Sequence, residues 1–159
     1  MKRILIAIPI IILTVFAFLF FYPREYQVSK IKERSGTKFW NLPTGSKIAY
    51  THIPASDSSK PFPVIYLHGG PGGFISDRNI QDLTKLGEDG YNVYLYDQIG
   101  SGHSARLDDI KQYTAARHVA DLEAIINEIG AKKVVLIGQS WGAILASLYV
   151  ADHHEKVEK

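Results

Sequence analysis

Three short runs hold most of the groups in this chain that could do chemistry. Residues 138–142 read Gly-Gln-Ser-Trp-Gly, residues 68–73 His-Gly-Gly-Pro-Gly-Gly, and residues 97–104 Asp-Gln-Ile-Gly-Ser-Gly-His-Ser. The first fits the Gly-x-Ser-x-Gly pattern of a serine held on a sharp strand-to-helix turn. A hydroxyl so placed stands clear of the backbone and can attack a carbonyl carbon once a neighbouring base takes its proton. On such a turn the strand and helix pass so closely that a Cβ two residues before or after Ser140 would collide, which explains Gly138 and Gly142. The helix that follows aims its N-terminal N–H groups and positive dipole end at the place where an oxyanion would form in acyl transfer.

The second run is nearly bare backbone. Its only side chains are an imidazole and a proline ring, so its N–H groups are open to whatever binds there. Pro71 has no N–H and biases its predecessor towards an extended conformation, which narrows the candidate donor to Gly69 or Gly70, with Gly70 preferred. A phosphate loop fits less well, because neither Gly-x-Gly-x-x-Gly nor Gly-Lys-Ser/Thr is present. His68 reads as a hydrogen-bonded structural histidine at a strand end. In the third run Asp97 reads as a loop organiser that accepts backbone N–H bonds.

These runs need elements to position them. Val134 to Ile137 is an unbroken β-branched and aliphatic stretch, the pattern of a strand buried on both faces of a parallel sheet. Upstream, 64–67 and 91–96 read as strands, and 76–86 and 114–129 as helices. Alternation of this kind implies a mostly parallel sheet covered by flanking helices. In the longer helix Val119, Leu122, Ile126 and Ile129 share one face, as core packing requires, and Gly130 is a natural stop. Before this, 38–42 and 47–53 have strand composition around the turn residues Pro43-Thr44-Gly45-Ser46, so a hairpin is expected. Residues 55–63 form a polar loop.

Composition excludes several classes. The chain has 159 residues, no cysteine and a net charge of +2, with its lysines scattered among acids. No thiolate nucleophile, disulfide framework or cysteine metal site is available, no cofactor or metal is implied, and nucleic acid is not an expected partner. Residues 4–22 are nineteen without a charge, bounded by Lys2-Arg3 and by Pro23-Arg24. That length can cross a bilayer as a helix, and the run ends in aromatics without a small-residue cleavage site, which favours a retained anchor over a cleaved signal. The expected organisation is therefore a transmembrane anchor at 1–22, a linker at 23–36 and a globular part at 37–159, membrane-bound with the globular part outside.

In order and spacing, HGGPGG, YDQIGSGHS and GQSWG resemble the α/β-hydrolase superfamily and, within it, the proline iminopeptidase-like serine peptidases. The resemblance covers residues 37–159. It implies Ser140 as nucleophile, the N–H groups of Trp141 and Gly70 as the oxyanion hole, and peptides, or small esters and amides, as substrates. Chain order in this fold runs Ser, then Asp or Glu, then His, so Asp97 comes too early to be the triad acid. The family's third motif usually reads DQRGSGRS, and Ile99 and His103 stand here in place of its arginines.

Family members continue past the nucleophile helix with further strands, a cap, and the acid and histidine. This sequence is expected to be a truncated N-terminal half, lacking the triad acid and histidine and inactive alone, with one edge of the 134–137 strand bare. An esterase or lipase is the alternative within the class. A non-catalytic, membrane-anchored remnant or interaction module is the alternative outside it. His153 and His154 fall beyond the far end of the last helix, which leaves His103 as the only conceivable substitute base.

Overall fold

The computed structural model describes residues 2–23, with side chains from residue 8 onward, and residues 31–32, 34–56, 59–70 and 72–159. Most of the expected linker (24–30 and 33), loop residues 57–58 and Pro71, on which the choice between Gly69 and Gly70 leaned, lie outside the described residues. The chain divides into two compact units, Met1–Lys30 and Ile31–Lys159.

The first unit holds α1 (Lys2–Phe21). It corrects the expectation of a transmembrane anchor over 4–22 and of membrane localisation: among the described residues no helix is long and apolar enough to cross a membrane. Pro9 lies inside α1, where it removes a hydrogen bond from the helical ladder. The part of α1 described with its side chains, residues 8–21, rises about 21 Å, against the roughly 30 Å of a hydrocarbon core. Thr14 keeps its hydroxyl within the helix by donating to the Ile10 carbonyl at 2.8 Å.

The second unit is built on one five-stranded sheet: β1 (Lys38–Asn41), β2 (Lys47–Ile53), β3 (Val64–Leu67), β4 (Val93–Tyr96) and β5 (Val135–Gly138), in the order β1-β2-β4-β3-β5. The sheet is mixed, which corrects the mostly parallel expectation. β1 pairs with β2 and β2 with β4 antiparallel, while β3 pairs parallel with both β4 and β5. The reason is local. The 43–46 turn closes β1 onto β2 as a hairpin, with Leu42 N–H donating to the Ser46 carbonyl at 2.8 Å. Only the strands separated by helices can run parallel.

Helices cover both faces. α2 (Asp77–Glu88) starts with a capping box between Ser76 and Asn79 and packs its apolar side over Val64, Tyr66, Val93 and Leu95. On the other face α3 (Ala115–Ile129), capped by Thr114 and closed by Gly130 in the left-handed conformation, lies beside α4 (Trp141–His153). Together they bury Ile65, Leu67, Tyr96, Leu122, Ile125, Ile126, Leu145 and Tyr149 in one cluster. Complete burial of such side chains contributes about 1.5–3 kcal/mol each, so this cluster fixes how the strand ends sit against the helices.

The outer edge of β5 is not wholly bare. Val134 forms a parallel bridge with Val157, Val134 N–H donates to Lys156 and Leu136 N–H to Lys159, so residues 156–159 cover the first half of that edge.

Candidate active site

The chain leaves β3 through α2 to reach β4 on one side, then returns through α3 to β5 on the other. At such a switch point the loops beyond the carboxyl ends of neighbouring strands diverge and open a crevice. A cavity of about 700 Å³ occupies it, bounded by Gly70, Gln98, Tyr113, His118, Ser140 and Trp141 among others.

Ser140 sits between β5 and α4 at φ 51° and ψ −119°, and among the described residues it is the only non-glycine with positive φ. Such a conformation costs on the order of 1–3 kcal/mol and persists only where the surroundings enforce it. Here they do. Gln139 N–H donates to the Leu67 carbonyl at 3.0 Å and Gly142 N–H to the Gln139 carbonyl at 2.8 Å. A Cβ on Gly142 would run into the Leu67 carbonyl, and one on Gly138 into the Ala143 backbone. The Ser140 side chain makes no capping bond to its own helix, which leaves its hydroxyl exposed at the cavity.

The glycine-rich loop presses on this turn. A Cβ on Gly69 would lie 3.3 Å from Ser140 Cβ, and one on Gly70 3.4 Å from Trp141 Cδ1. Among the described residues neither the Gly70 N–H nor the Trp141 N–H has an acceptor, and both residues line the cavity with Ser140.

His68 is buried and fully engaged. Its Nε2 accepts the Gln98 backbone N–H at 3.0 Å, so the proton resides on Nδ1, which faces the Gly69 carbonyl at 2.6 Å. Burial pushes its pKa below the ordinary 6.5, against smaller upward pulls from the Gly69 carbonyl and Asp97. A neutral ring with both nitrogens committed cannot serve as the base for Ser140.

Asp97, wholly buried, joins three segments. Its Oδ1 accepts from Ile75 N–H at 2.7 Å, while its Oδ2 accepts from His103 N–H at 3.0 Å and from an Arg34 terminal nitrogen at 3.2 Å. Arg34 also donates to the Ile75 carbonyl at 2.7 Å. Asp97 thus meets a positive charge from a segment 63 residues earlier in the chain. His103 turns the same way: its Nε2 lies 3.1 Å from the Lys32 carbonyl, and the ring does not line the Ser140 cavity. The structure thus does not bring the expected substitute base to Ser140. His153 stacks on Tyr149 in the last turn of α4, with His154 just beyond it. Among the described residues no histidine hydrogen-bonds the Ser140 hydroxyl.

Three residues of this region escape a reading of sequence alone. Gln98 is buried and bridges two loops, and the only signal for it is an amide at a strand end beside Asp97. His118, half-buried with its pKa lowered by burial, meets the Trp141 ring edge-on at 5.9 Å. Its position four residues before Leu122, on the packed side of α3, was the available sign. Arg34 gives no local signal, because only the fold brings it to Asp97.

The comparisons agree with this architecture. The model of the alpha/beta hydrolase fold family matches residues 63–159. A proline iminopeptidase of Lactobacillus helveticus is 40% identical over 107 residues, which is 66% of this chain and 35% of that protein. The crystal structure of a proline iminopeptidase from Mycobacterium smegmatis superposes with a TM-score of 0.64 at 25% identity, over 76% of this chain and 41% of that one. An epoxide hydrolase from Vigna radiata does so at 0.66 and 25%, over 77% and 36%. The chain spans little more than a third of the length of the curated relatives it matches. With the family model matching well over half its length, and with its serine on a strained strand-to-helix turn at the switch point of the sheet, the chain belongs to the alpha/beta hydrolase fold family.

Proposed function

We propose that this protein carries the nucleophile and oxyanion hole of a serine hydrolase that releases N-terminal residues, proline foremost, from peptides. A base takes the Ser140 hydroxyl proton as Oγ attacks the substrate carbonyl carbon, and since no histidine among the described residues hydrogen-bonds that hydroxyl, the reading requires a base from outside them. The carbonyl π electrons move to oxygen, and the resulting oxyanion is met by the N–H groups of Gly70 and Trp141. On collapse the same base returns the proton to the departing amine, and it then takes a proton from the water that attacks the acyl carbon and passes it to Ser140 Oγ as the acid is released. His68 and Asp97 hold the loops and take no part in proton transfer. The observation that carries the reading is the backbone of Ser140: strain enforced by flanking glycines at a cavity, which Gly70 and Trp141 also line with N–H groups that have no acceptor among the described residues. The choice of an aminopeptidase rests on relatives named proline iminopeptidase, supported by the glycine loop at 68–73.

The test is to express the protein from its own gene and compare prolyl-p-nitroanilide with p-nitrophenyl acyl esters. Release of p-nitroaniline from prolyl-p-nitroanilide that disappears in Ser140→Ala is expected. Ester turnover without aminopeptidase activity would refute the peptidase assignment, and turnover that survives Ser140→Ala would remove Ser140 from its role. A protein that neither turns over nor takes a fluorophosphonate would favour the non-catalytic alternative.

A further inference from the structure

The two N–H groups assigned to the oxyanion come from separate parts of the chain, Gly70 from the loop after β3 and Trp141 from the first turn of α4. Something must fix the distance between them. Among the described residues that line the cavity, the Gln98 side chain hydrogen-bonds both segments. Gln98, 3% exposed, accepts the Trp141 indole N–H on Oε1 at 2.9 Å and donates from Nε2 to the His68 carbonyl at 2.9 Å. Its backbone N–H adds the bond to His68 Nε2 described above.

We propose that Gln98 is a positioning residue that sets the separation of the Gly70 and Trp141 N–H groups, and through it the oxyanion geometry. The orientation of its amide is fixed by its partners. The His68 carbonyl can only accept and the indole N–H can only donate, so nitrogen must face the first and oxygen the second. Few residue types meet that demand. A glutamate would still accept from the indole but would set an oxygen against the His68 carbonyl. Asparagine is one methylene too short to span the gap, and leucine offers neither function. The bridge is buried, so water cannot readily replace it. The His68 carbonyl is two residues from the Gly70 N–H, and the indole belongs to the residue whose own backbone N–H is the second donor. A break at Gln98 therefore moves both donors relative to each other. A displacement near 1 Å at such a site is enough for a loss on the order of 100-fold in rate.

The inference rests on the functional reading above, and its test has two readouts so that the two can fail separately. In ¹H–¹⁵N spectra of the protein, Trp141→Phe assigns the indole signal against that of Trp40. Gln98→Glu should keep the indole hydrogen bond, and Gln98→Leu should abolish it. Both should displace the backbone amide signals of Gly70 and Trp141 while most others stay in place. Unmoved Gly70 and Trp141 amides in Gln98→Leu would overturn the proposal whether or not the protein turns over substrate. In kinetics, Gln98→Leu is expected to lower kcat about 10- to 100-fold with KM within about threefold, measured well below the melting temperature. A Gln98→Leu protein with normal kcat and a lowered melting temperature would show that the bridge is structural only. An inactive wild-type protein with the expected amide shifts would instead refute the functional reading and leave the bridge standing. Should Gln98→Leu fail to fold, Gln98→Glu carries the test, because it sets an oxygen against the His68 carbonyl, and unmoved Gly70 and Trp141 amides in it would overturn the proposal.

Discussion

Replacing Asp97 with asparagine tests the claim that one buried carboxylate holds the site's loops together. The Asn side chain can still accept from Ile75 N–H through its oxygen. Its NH₂ would then face two donors, the His103 N–H and the Arg34 guanidinium, both of which Asp97 Oδ2 now satisfies. Arg34 and Asp97 have side chains only 4% and 0% exposed, so the guanidinium left behind is a buried, uncompensated charge. Removing one partner of such a pair costs about 3–5 kcal/mol, a large share of the roughly 5–15 kcal/mol that holds a domain folded. The melting temperature should fall by about 10–20 °C. Urea denaturation of wild type, Asp97→Asn, Arg34→Met and the double variant measures this. Because Arg34→Met removes the stranded charge, the double variant should lose about 1–3 kcal/mol less than the sum of the single losses. A cost below 1 kcal/mol for Asp97→Asn, or strict additivity, would refute the reasoning.

Ser140→Gly should abolish chemistry yet raise stability by about 1 kcal/mol, since glycine adopts φ 51° without strain; equal or lower stability by urea denaturation would argue against a strained turn. Residues 1–159 expressed alone should show no stoichiometric fluorophosphonate labelling, because no histidine among the described residues reaches the Ser140 hydroxyl, so turnover by the gene's own product would require a base from outside these residues; labelling lost in Ser140→Ala would contradict this, and loss also in His118→Ala or His103→Ala would identify the base. Stability should fall on acidification: burial lowers the folded-state pKa of His68 and His118 below 6.5, so the unfolded chain binds more protons. Their contribution is complete above the unfolded value and drains away as pH falls from about 6.5 through the folded values, and a flat thermal midpoint between pH 7 and pH 5 would refute it. Glu123 acts in the same sense at lower pH, because hydrogen bonds from Lys156, Tyr149 and Asn127 outweigh burial and hold its carboxyl below the usual range.

The local chemistry of the turn was legible because it is local. Gly138, Ser140 and Gly142 lie within five residues, and the collision that demands each glycine is with backbone the same motif brings near. The parallel core β4-β3-β5 could be read for a similar reason, since buried aliphatic runs separated by amphipathic helices admit few other arrangements. The antiparallel half of the sheet was not, although its hairpin was, because the pairing of β2 with β4 joins segments about forty residues apart and periodicity carries no information about which strand a strand meets.

The N-terminal run shows the opposite error. Nineteen uncharged residues satisfied a length rule, yet among the described residues no helix is long and apolar enough to cross a membrane, and Pro9 within the run lacks the N–H that the helical ladder would use. Only the tertiary structure decided how the three motifs act together. The strand order brings the loops after β3, β4 and β5 to one crevice, places Arg34 on Asp97 and Gln98 between His68 and Trp141, and turns His103 away from Ser140. Sequence singles out Ser140 as the candidate nucleophile; hydrogen bonds spanning 30 to 71 residues, which no local pattern encodes, decide what stands around it.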